Sequence, residues 1–351
     1  MDFSSTEEQL ALATVFGQLF AKESSMERVR AAELAGGFDV ALWQNFLELG
    51  GPAIAARSEA GGGGADLRHL GVVVELCGRW LAPVPIVESF VTARLLGGLG
   101  AVAAPCLERV VAGDVVTIAL RPWLPGGVEV VPAGAVSRAV VGLDGDELVW
   151  LLLSDERGTA VANHGSAPLR LLSVNDADER LVLCESTEAV AAFGEAVRDW
   201  KILTAGALIG LAQSALELGA EYAKTREQFG GAIGRFQAIA HPLADGLAAI
   251  DGARLLCLEA QWAADTGSPR AGALASMAFA FAAETASRVV AHALHVHGGY
   301  GLTIEYDIQL HQRRAKAWAL VAGDPRLEYQ RVADELFGAA GLPDAIGAGI
   351  A

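Results

Sequence analysis

Residues 222–245 read YAKTREQFGGAIGRFQAIAHPLAD, a stretch that joins two long helical segments. Arg226 ends the first segment, and Phe229 and a pair of glycines follow it. A guanidinium fork and an aromatic ring at a helix end suit the binding of a pyrophosphate. Gln237 opens the second segment, where a side-chain amide and free backbone N–H groups can meet a nucleotide. The stretch therefore predicts two helices joined by a turn, with a nucleotide-binding surface where they meet.

A second glycine-rich stretch, HVHGGYGLTIEYDIQLHQRRAK, occupies residues 295–316. Gly298 and Gly299 are expected to form a tight loop between two helices, because glycine lets a backbone approach a ligand closely. Three histidines lie just before this loop, but no carboxylate accompanies them at ligand spacing. We therefore predict no metal site there.

The pattern of apolar and turn-forming residues along the chain indicates the fold class. Long segments rich in Ala and Leu fill the C-terminal half, at residues 188–224, 236–265, 270–296 and 305–337. Short β-prone runs separated by Gly, Pro, Asp and Asn precede them, and helical periodicity returns towards the N-terminus. We therefore expect an α+β, mostly α protein with an N-terminal helical domain (1–114), a small central β domain (115–186) and a C-terminal helical bundle (187–351).

Two local patterns bear on how the helices start and pack. Ser5 followed by Glu8 is a capping-box pattern that predicts the start of the first helix. Gly206 and Gly210 lie one turn apart in the helix before Arg226. Small residues at this spacing permit close approach of another helix, either from a second subunit or from the same chain.

Composition excludes several classes of protein. The 351-residue chain carries a formal net charge of −16, so it repels phosphate backbones and nucleic acid is not an expected partner. A local basic pocket is still sufficient for a nucleotide or a CoA thioester. The four cysteines are scattered without a CxxC pair, which favours reduced thiols. The N-terminus lacks the basic region of a secretory signal, and we find no uninterrupted apolar run that would span a membrane, so a cytoplasmic protein is expected.

The stretches 222–245 and 295–316 resemble the fingerprint of acyl-CoA dehydrogenases, and the spacing between them fits that family. A weaker likeness covers VVVELCGRWLAPVP in the N-terminal third. The resemblance implies the family fold, with an N-terminal helical domain, a central β domain and a C-terminal four-helix bundle. It also implies an FAD cofactor and an acyl-CoA thioester that is dehydrogenated between Cα and Cβ.

In the family, the matching positions contact the adenosine and pyrophosphate of an FAD held mainly by the neighbouring subunit. The resemblance therefore assigns cofactor contacts to Arg226, Phe229, Gln237, His295, Gly298 and Gly299. His295 stands where the family usually has Gln, although histidine can also donate to a ribose or a phosphate. An isolated Arg-x-x-Phe is more often a solvated helix end, and a lone Gly-Gly-x-Gly an ordinary turn. The two motifs together, in family order, favour the cofactor interpretation.

The positions of the catalytic base depart from the family pattern. The reaction needs a carboxylate within reach of the thioester Cα. One family position corresponds to Ala322 and the other to about Trp200, and neither holds glutamate. Asp199 and Asp324 are the nearest carboxylates, and we expect no other catalytic residue in this chain. The central β domain also looks shortened, with only faint matches to the family's flavin-ring segment.

These losses resemble the non-catalytic subunit of a heteromeric acyl-CoA dehydrogenase, of the actinobacterial type that acts on steroid side-chain thioesters. We therefore expect a subunit of fatty acid or steroid β-oxidation that pairs with a second acyl-CoA dehydrogenase-like chain, as in an α2β2 hetero-oligomer. One alternative is a self-sufficient homo-oligomer with a relocated base, Asp199 or Asp324. The other is a scaffold or non-redox acyl-thioester protein on the same fold.

Overall fold

A computed structural model describes residues 3–338 of the chain. Within these residues eleven α-helices lie before and after a β region along the chain, in the order helices, strands, helices. The mostly helical α+β class predicted from the sequence is confirmed. The division into three domains remains our interpretation of this order. The last dozen residues, whose glycine- and alanine-rich sequence predicts a loose tail, lie outside the described residues.

The helices before the β region are α1 (Glu7–Glu23), α2 (Met26–Leu34), α3 (Val40–Glu48), α4 (Leu67–Arg79), α5 (Ile86–Gly98) and α6 (Ala104–Val111). Those after it are α7 (Ser186–Thr225), α8 (Gln237–Asp265), α9 (Ala271–His297), α10 (Ile308–Leu320) and α11 (Leu327–Phe337). The predicted segment 305–337 is thus two helices, because the chain turns at Asp324 and Pro325.

The strands are β1 (Val116–Ile118), β2 (Glu129–Val131), β3 (Ala139–Asp144), β4 (Glu147–Leu152), β5 (Thr159–Val161), β6 (Leu169–Leu172), β7 (Glu179–Glu185), β8 (Glu227–Gln228) and β9 (Gly231–Ala232). One sheet has the order β1-β3-β4-β7, with β1 parallel to β3 and the other pairs antiparallel. A second, antiparallel sheet has the order β2-β6-β5. The pair β8–β9 is a short hairpin between α7 and α8.

Helix α1 begins one residue later than the capping pattern predicted. Thr6, not Ser5, is the N-cap: its hydroxyl accepts the Gln9 N–H at 3.2 Å, and the Gln9 side chain accepts the Thr6 N–H at 3.1 Å. The Ser5–Glu8 box was therefore wrong by one position. The reciprocal bonds are those of a capping box, with Gln in the place of Glu.

Glycines let α7 and α4 approach each other backbone to backbone. A Cβ at Gly210 would lie 1.8 Å from the Glu75 carbonyl oxygen, and one at Gly78 would lie 1.8 Å from the Ala207 carbonyl oxygen. A Cβ at Gly206 would lie 3.0 Å from the Val74 Cγ2 methyl group. Of the two alternatives for Gly206 and Gly210, the structure shows packing within the chain.

Two segments, Ser186–Thr225 and Ala271–Leu302, are long and apolar enough to cross a membrane by length and composition alone. Yet 78% and 72% of their most apolar windows are buried inside the fold. Core helices of globular proteins meet the same criterion, so the two segments are weak evidence for a membrane span.

Candidate functional site

Arg226 caps the C-terminal end of α7, and its side chain is exposed. Its backbone carbonyl accepts the Ile233 N–H at 2.8 Å, which ties the helix end to the hairpin β8–β9. Its guanidinium carbon lies 6.0 Å from the centroid of the Tyr300 ring. Within residues 3–338 the guanidinium has no ion pair and no hydrogen bond, so its donors are available to a ligand.

Aromatic rings beside this helix end bring the two sequence stretches, 222–245 and 295–316, into contact. Tyr222 stacks on His297 with ring centroids 4.4 Å apart, and Tyr306 packs edge-on against both rings. Tyr300 lies 5.8 Å from Tyr306. The close fit depends on Gly301, where a Cβ would lie only 2.9 Å from the His297 Cβ.

The hairpin after Arg226 turns at Phe229 and Gly230, whose φ angles are +54° and +85°. The turn therefore lies one residue before the glycine pair from which the sequence predicted it. Two successive positive φ angles are typical of a type I′ turn, in which Asn-Gly is the usual pair. Phe229 adopts this unfavourable conformation although its side chain is 86% exposed.

The remaining predicted cofactor residues also lie at the surface. Gln237 is the first residue of α8, whose N-terminus has no side-chain cap. His295 is exposed in the last turn of α9. Gly298 has a φ of +59°, and a Cβ at Gly298 or Gly299 would meet no heavy atom within 4 Å.

These groups fit the adenosine and pyrophosphate of a dinucleotide. Arg226 is a cation without a partner in the described chain, α8 presents uncapped N–H groups, and the backbone at Gly299 is open to close approach. The structure joins Arg226 to the glycine loop through Tyr300. In residues 3–338 no contact joins the side chains of Gln237 or His295 to Arg226.

The two candidate bases lie in different surroundings. Asp199 is buried and accepts hydrogen bonds from Arg94 at 3.1 Å and Arg198 at 2.8 Å. Asp324 forms the turn before α11, and its hydrogen bonds from Arg326 lower the pKa of its carboxyl to about 2. Both carboxylates are thus paired with arginine, and the low pKa of Asp324 makes that residue a weak general base.

A cavity of about 120 Å³ lies between α5, α7, α10 and the β region, and it is called the central cavity below. Trp200 lines it, as does Val321, the residue before Ala322, so the cavity adjoins both positions that the family resemblance assigns to the base. Among the described residues that line it, Glu88 alone carries a carboxylate. Burial raises the pKa of Glu88. Sequence reasoning missed Glu88, because an acid in the first turn of a helix is an ordinary feature.

Comparison with known proteins bears on the whole chain. The model of the acyl-CoA dehydrogenase N-terminal domain matches residues 6–103, and that of the C-terminal domain matches residues 193–337. "Acyl-CoA dehydrogenase IpdE2" from Mycolicibacterium smegmatis is 30% identical, over 95% of this chain and 100% of the relative. The chain belongs to the acyl-CoA dehydrogenase family. The family resemblance seen in the sequence is therefore confirmed, and members of this family are FAD-dependent oxidoreductases.

Solved acyl-CoA dehydrogenase structures share the fold. A variant of the Tcur3481–Tcur3483 steroid ACAD superposes with a TM-score of 0.84 at 28% identity, covering 95% of this chain and 99% of that chain. The ChsE4–ChsE5 complex from Mycobacterium tuberculosis superposes with a TM-score of 0.83 at 25% identity, covering 97% and 100%. Both structures contain two kinds of chain, as their names state.

Proposed function

We propose that this chain is a subunit of an FAD-dependent acyl-CoA dehydrogenase that works with a second, catalytic acyl-CoA dehydrogenase-like chain. The observation that carries the proposal is the exposed guanidinium of Arg226, which has no partner in residues 3–338. An unpaired cation beside an open glycine backbone suits a pyrophosphate that reaches it from a neighbouring subunit. The similarity to the Tcur3481–Tcur3483 steroid ACAD and to the ChsE4–ChsE5 complex supports a heteromeric assembly, for which we propose an α2β2 form.

In this proposal the residues of this chain bind the cofactor. Arg226 donates to the pyrophosphate, while Gln237, His295 and the backbone at Gly298 and Gly299 contact the adenosine half. Phe229 projects from the hairpin and packs on the same ligand. Bound FAD supplies the hydride acceptor for oxidation of the thioester between Cα and Cβ.

The base that takes the thioester α-proton comes from the partner chain. Ala322 and Trp200 occupy the two family positions and have no carboxylate. Asp199 and Asp324 are held by arginines, which supports a partner-supplied base over a relocated one. In the cell we place the assembly in the cytoplasm, in the β-oxidation of fatty acyl or steroid side-chain thioesters.

Retention of FAD by the assembled complex tests this function. The chain and its partner would be copurified, diluted, and followed by flavin absorbance for released FAD. Arg226→Ala should weaken FAD binding about 10- to 150-fold, the effect of losing a charge-assisted hydrogen bond of roughly 1.5–3 kcal/mol. Arg109→Ala is the matched control, because Arg109 is an exposed arginine on α6 that is paired with Asp114. Equal FAD retention in both variants would contradict the proposal.

A further inference from the structure

Arg235 is bonded to the turn that carries Phe229. Its Nη2 donates to the Phe229 carbonyl oxygen at 2.7 Å, and its Nη1 donates to the Gly230 carbonyl oxygen at 3.2 Å. The same guanidinium lies over the Phe236 ring, 4.9 Å from its centroid. The Arg235 side chain, two residues before α8, thus reaches back across the hairpin to the turn.

The turn needs such a restraint because Phe229 is in an unfavourable conformation. Its φ of +54° is a region that bulky side chains rarely adopt, and its 86% exposure means that no burial of the ring compensates. A strained and exposed aromatic residue suggests a function for its ring. Within the described chain the Phe229 ring meets Phe236, edge-on with centroids 6.1 Å apart.

The absence of a side chain at Gly231 makes room for the Arg235 guanidinium. A Cβ at Gly231 would lie 2.7 Å from Arg235 Nη1 and 3.2 Å from its guanidinium carbon. Glycine at that position is therefore what lets the fork reach both carbonyl oxygens. Lysine could not fully replace Arg235, since the single ammonium group of lysine cannot donate along two fixed directions.

We infer that Arg235 is a positioning residue, which holds Phe229 in its left-handed conformation and so presents the ring to the FAD shared with the partner subunit. Arg235 does not contact the cofactor in this inference; it acts through the turn. The inference rests on the proposed function, because it assumes that the Phe229 ring touches the flavin nucleotide. It adds the group that keeps the ring in place before the ligand arrives.

A double-mutant cycle tests the inference in the copurified complex. The variants are Arg235→Ala, Phe229→Gly and the double variant, with Arg109→Ala as control, and the readout is the rate of FAD release on dilution. Phe229→Gly removes the ring and its strain together, since glycine adopts positive φ freely. We expect Arg235→Ala to accelerate FAD release about 3- to 15-fold, the effect of about one net hydrogen bond. Arg235→Lys should lie between Arg235→Ala and the unmodified complex.

The double variant separates positioning from a general structural role. If Arg235 acts through Phe229, the double variant releases FAD no faster than Phe229→Gly alone. Additive effects would overturn the inference while leaving the proposed site intact. Unchanged release in Phe229→Gly would overturn the inference together with the proposed role of Phe229, and Arg226→Ala then shows whether the rest of the site stands.

Discussion

The indole Nε1 of Trp200 donates a hydrogen bond to Oε1 of Glu88 at 3.1 Å inside the central cavity. The indole is 2% exposed and packs against the Phe279 ring, with centroids 5.6 Å apart. Trp200, the position that the family resemblance matches to a helix-borne base, is therefore held by one hydrogen bond and one ring contact. The carboxylate of Glu88 is occupied as the acceptor for that ring.

This pair gives a prediction about stability. Burial raises the pKa of Glu88, so the charged form is disfavoured in the fold, and that unfavourable contribution is present at pH values above the folded pKa. Glu88→Gln keeps an acceptor for the indole and removes the charge, so its free energy of unfolding at neutral pH should equal or exceed that of the unmodified chain. Glu88→Met leaves the indole N–H unpaired and should lie about 1–3 kcal/mol below Glu88→Gln. Chemical denaturation measures both, and equal stability of the two variants would show that the hydrogen bond is unimportant.

Gly299 and Gly301 form a matched pair of glycines with different roles. A Cβ at Gly301 would lie 2.9 Å from the His297 Cβ and 3.0 Å from the Leu294 carbonyl oxygen, so Gly301→Ala should destabilise the chain by about 1–3 kcal/mol. A Cβ at Gly299 meets nothing within 4 Å. Gly299→Ala should therefore leave unfolding unchanged but weaken FAD retention in the complex. Full FAD retention with Gly299→Ala would argue against close approach of the cofactor at this loop.

A buried histidine makes stability depend on pH. Burial lowers the pKa of His311 to about 4, and its ring contacts the Ser214 hydroxyl at 3.0 Å and the Asp307 carbonyl oxygen at 3.2 Å. Between pH 6.5 and 4 the unfolded chain binds a proton that the folded chain does not, so stability falls as pH falls through this window. The shift corresponds to a loss of about 3 kcal/mol at most.

His311→Gln isolates this contribution, because glutamine does not titrate. Urea unfolding at several pH values between 4 and 7 should show a shallower decline for the variant than for the unmodified chain. The contribution of Asp265 to the pH dependence of stability has the opposite sign, since burial raises the pKa of its carboxyl to about 6. Asp265 is present in both proteins, so its contribution does not distinguish them. Parallel pH profiles for the two proteins would show that His311 is not responsible.

Local sequence signals were enough to predict that one helix ends near Arg226 and the next begins near Gln237. The signals are all features of neighbouring residues: helical periodicity up to Arg226, turn residues after it, and a new helical period from Gln237. In the structure α7 ends and α8 begins at these positions. The exact turn was misplaced, because glycine content indicated the pair after Phe229, whereas the strained φ falls on Phe229 itself. That conformation depends on the bond from Arg235, which no propensity reports.

Features that depend on distant residues could not be predicted. Glu88 and Trp200 are 112 residues apart, and only the packing of α5 against α7 brings them together. No β-prone run in the sequence predicts strand β5, because its three residues, Thr-Ala-Val, are too few to show an alternation of apolar and polar side chains.

Dehydrogenase turnover with and without a partner chain tests the central claim most directly. The purified chain would be given FAD, an artificial electron acceptor and a panel of acyl-CoA thioesters, first alone and then after copurification with a second acyl-CoA dehydrogenase-like chain. We expect no turnover by the chain alone, and turnover by the pair that survives Asp199→Asn and Asp324→Asn, because neither aspartate is free to act as base. Robust turnover by the chain alone that is lost in either variant would contradict a partner-supplied base and establish a relocated one.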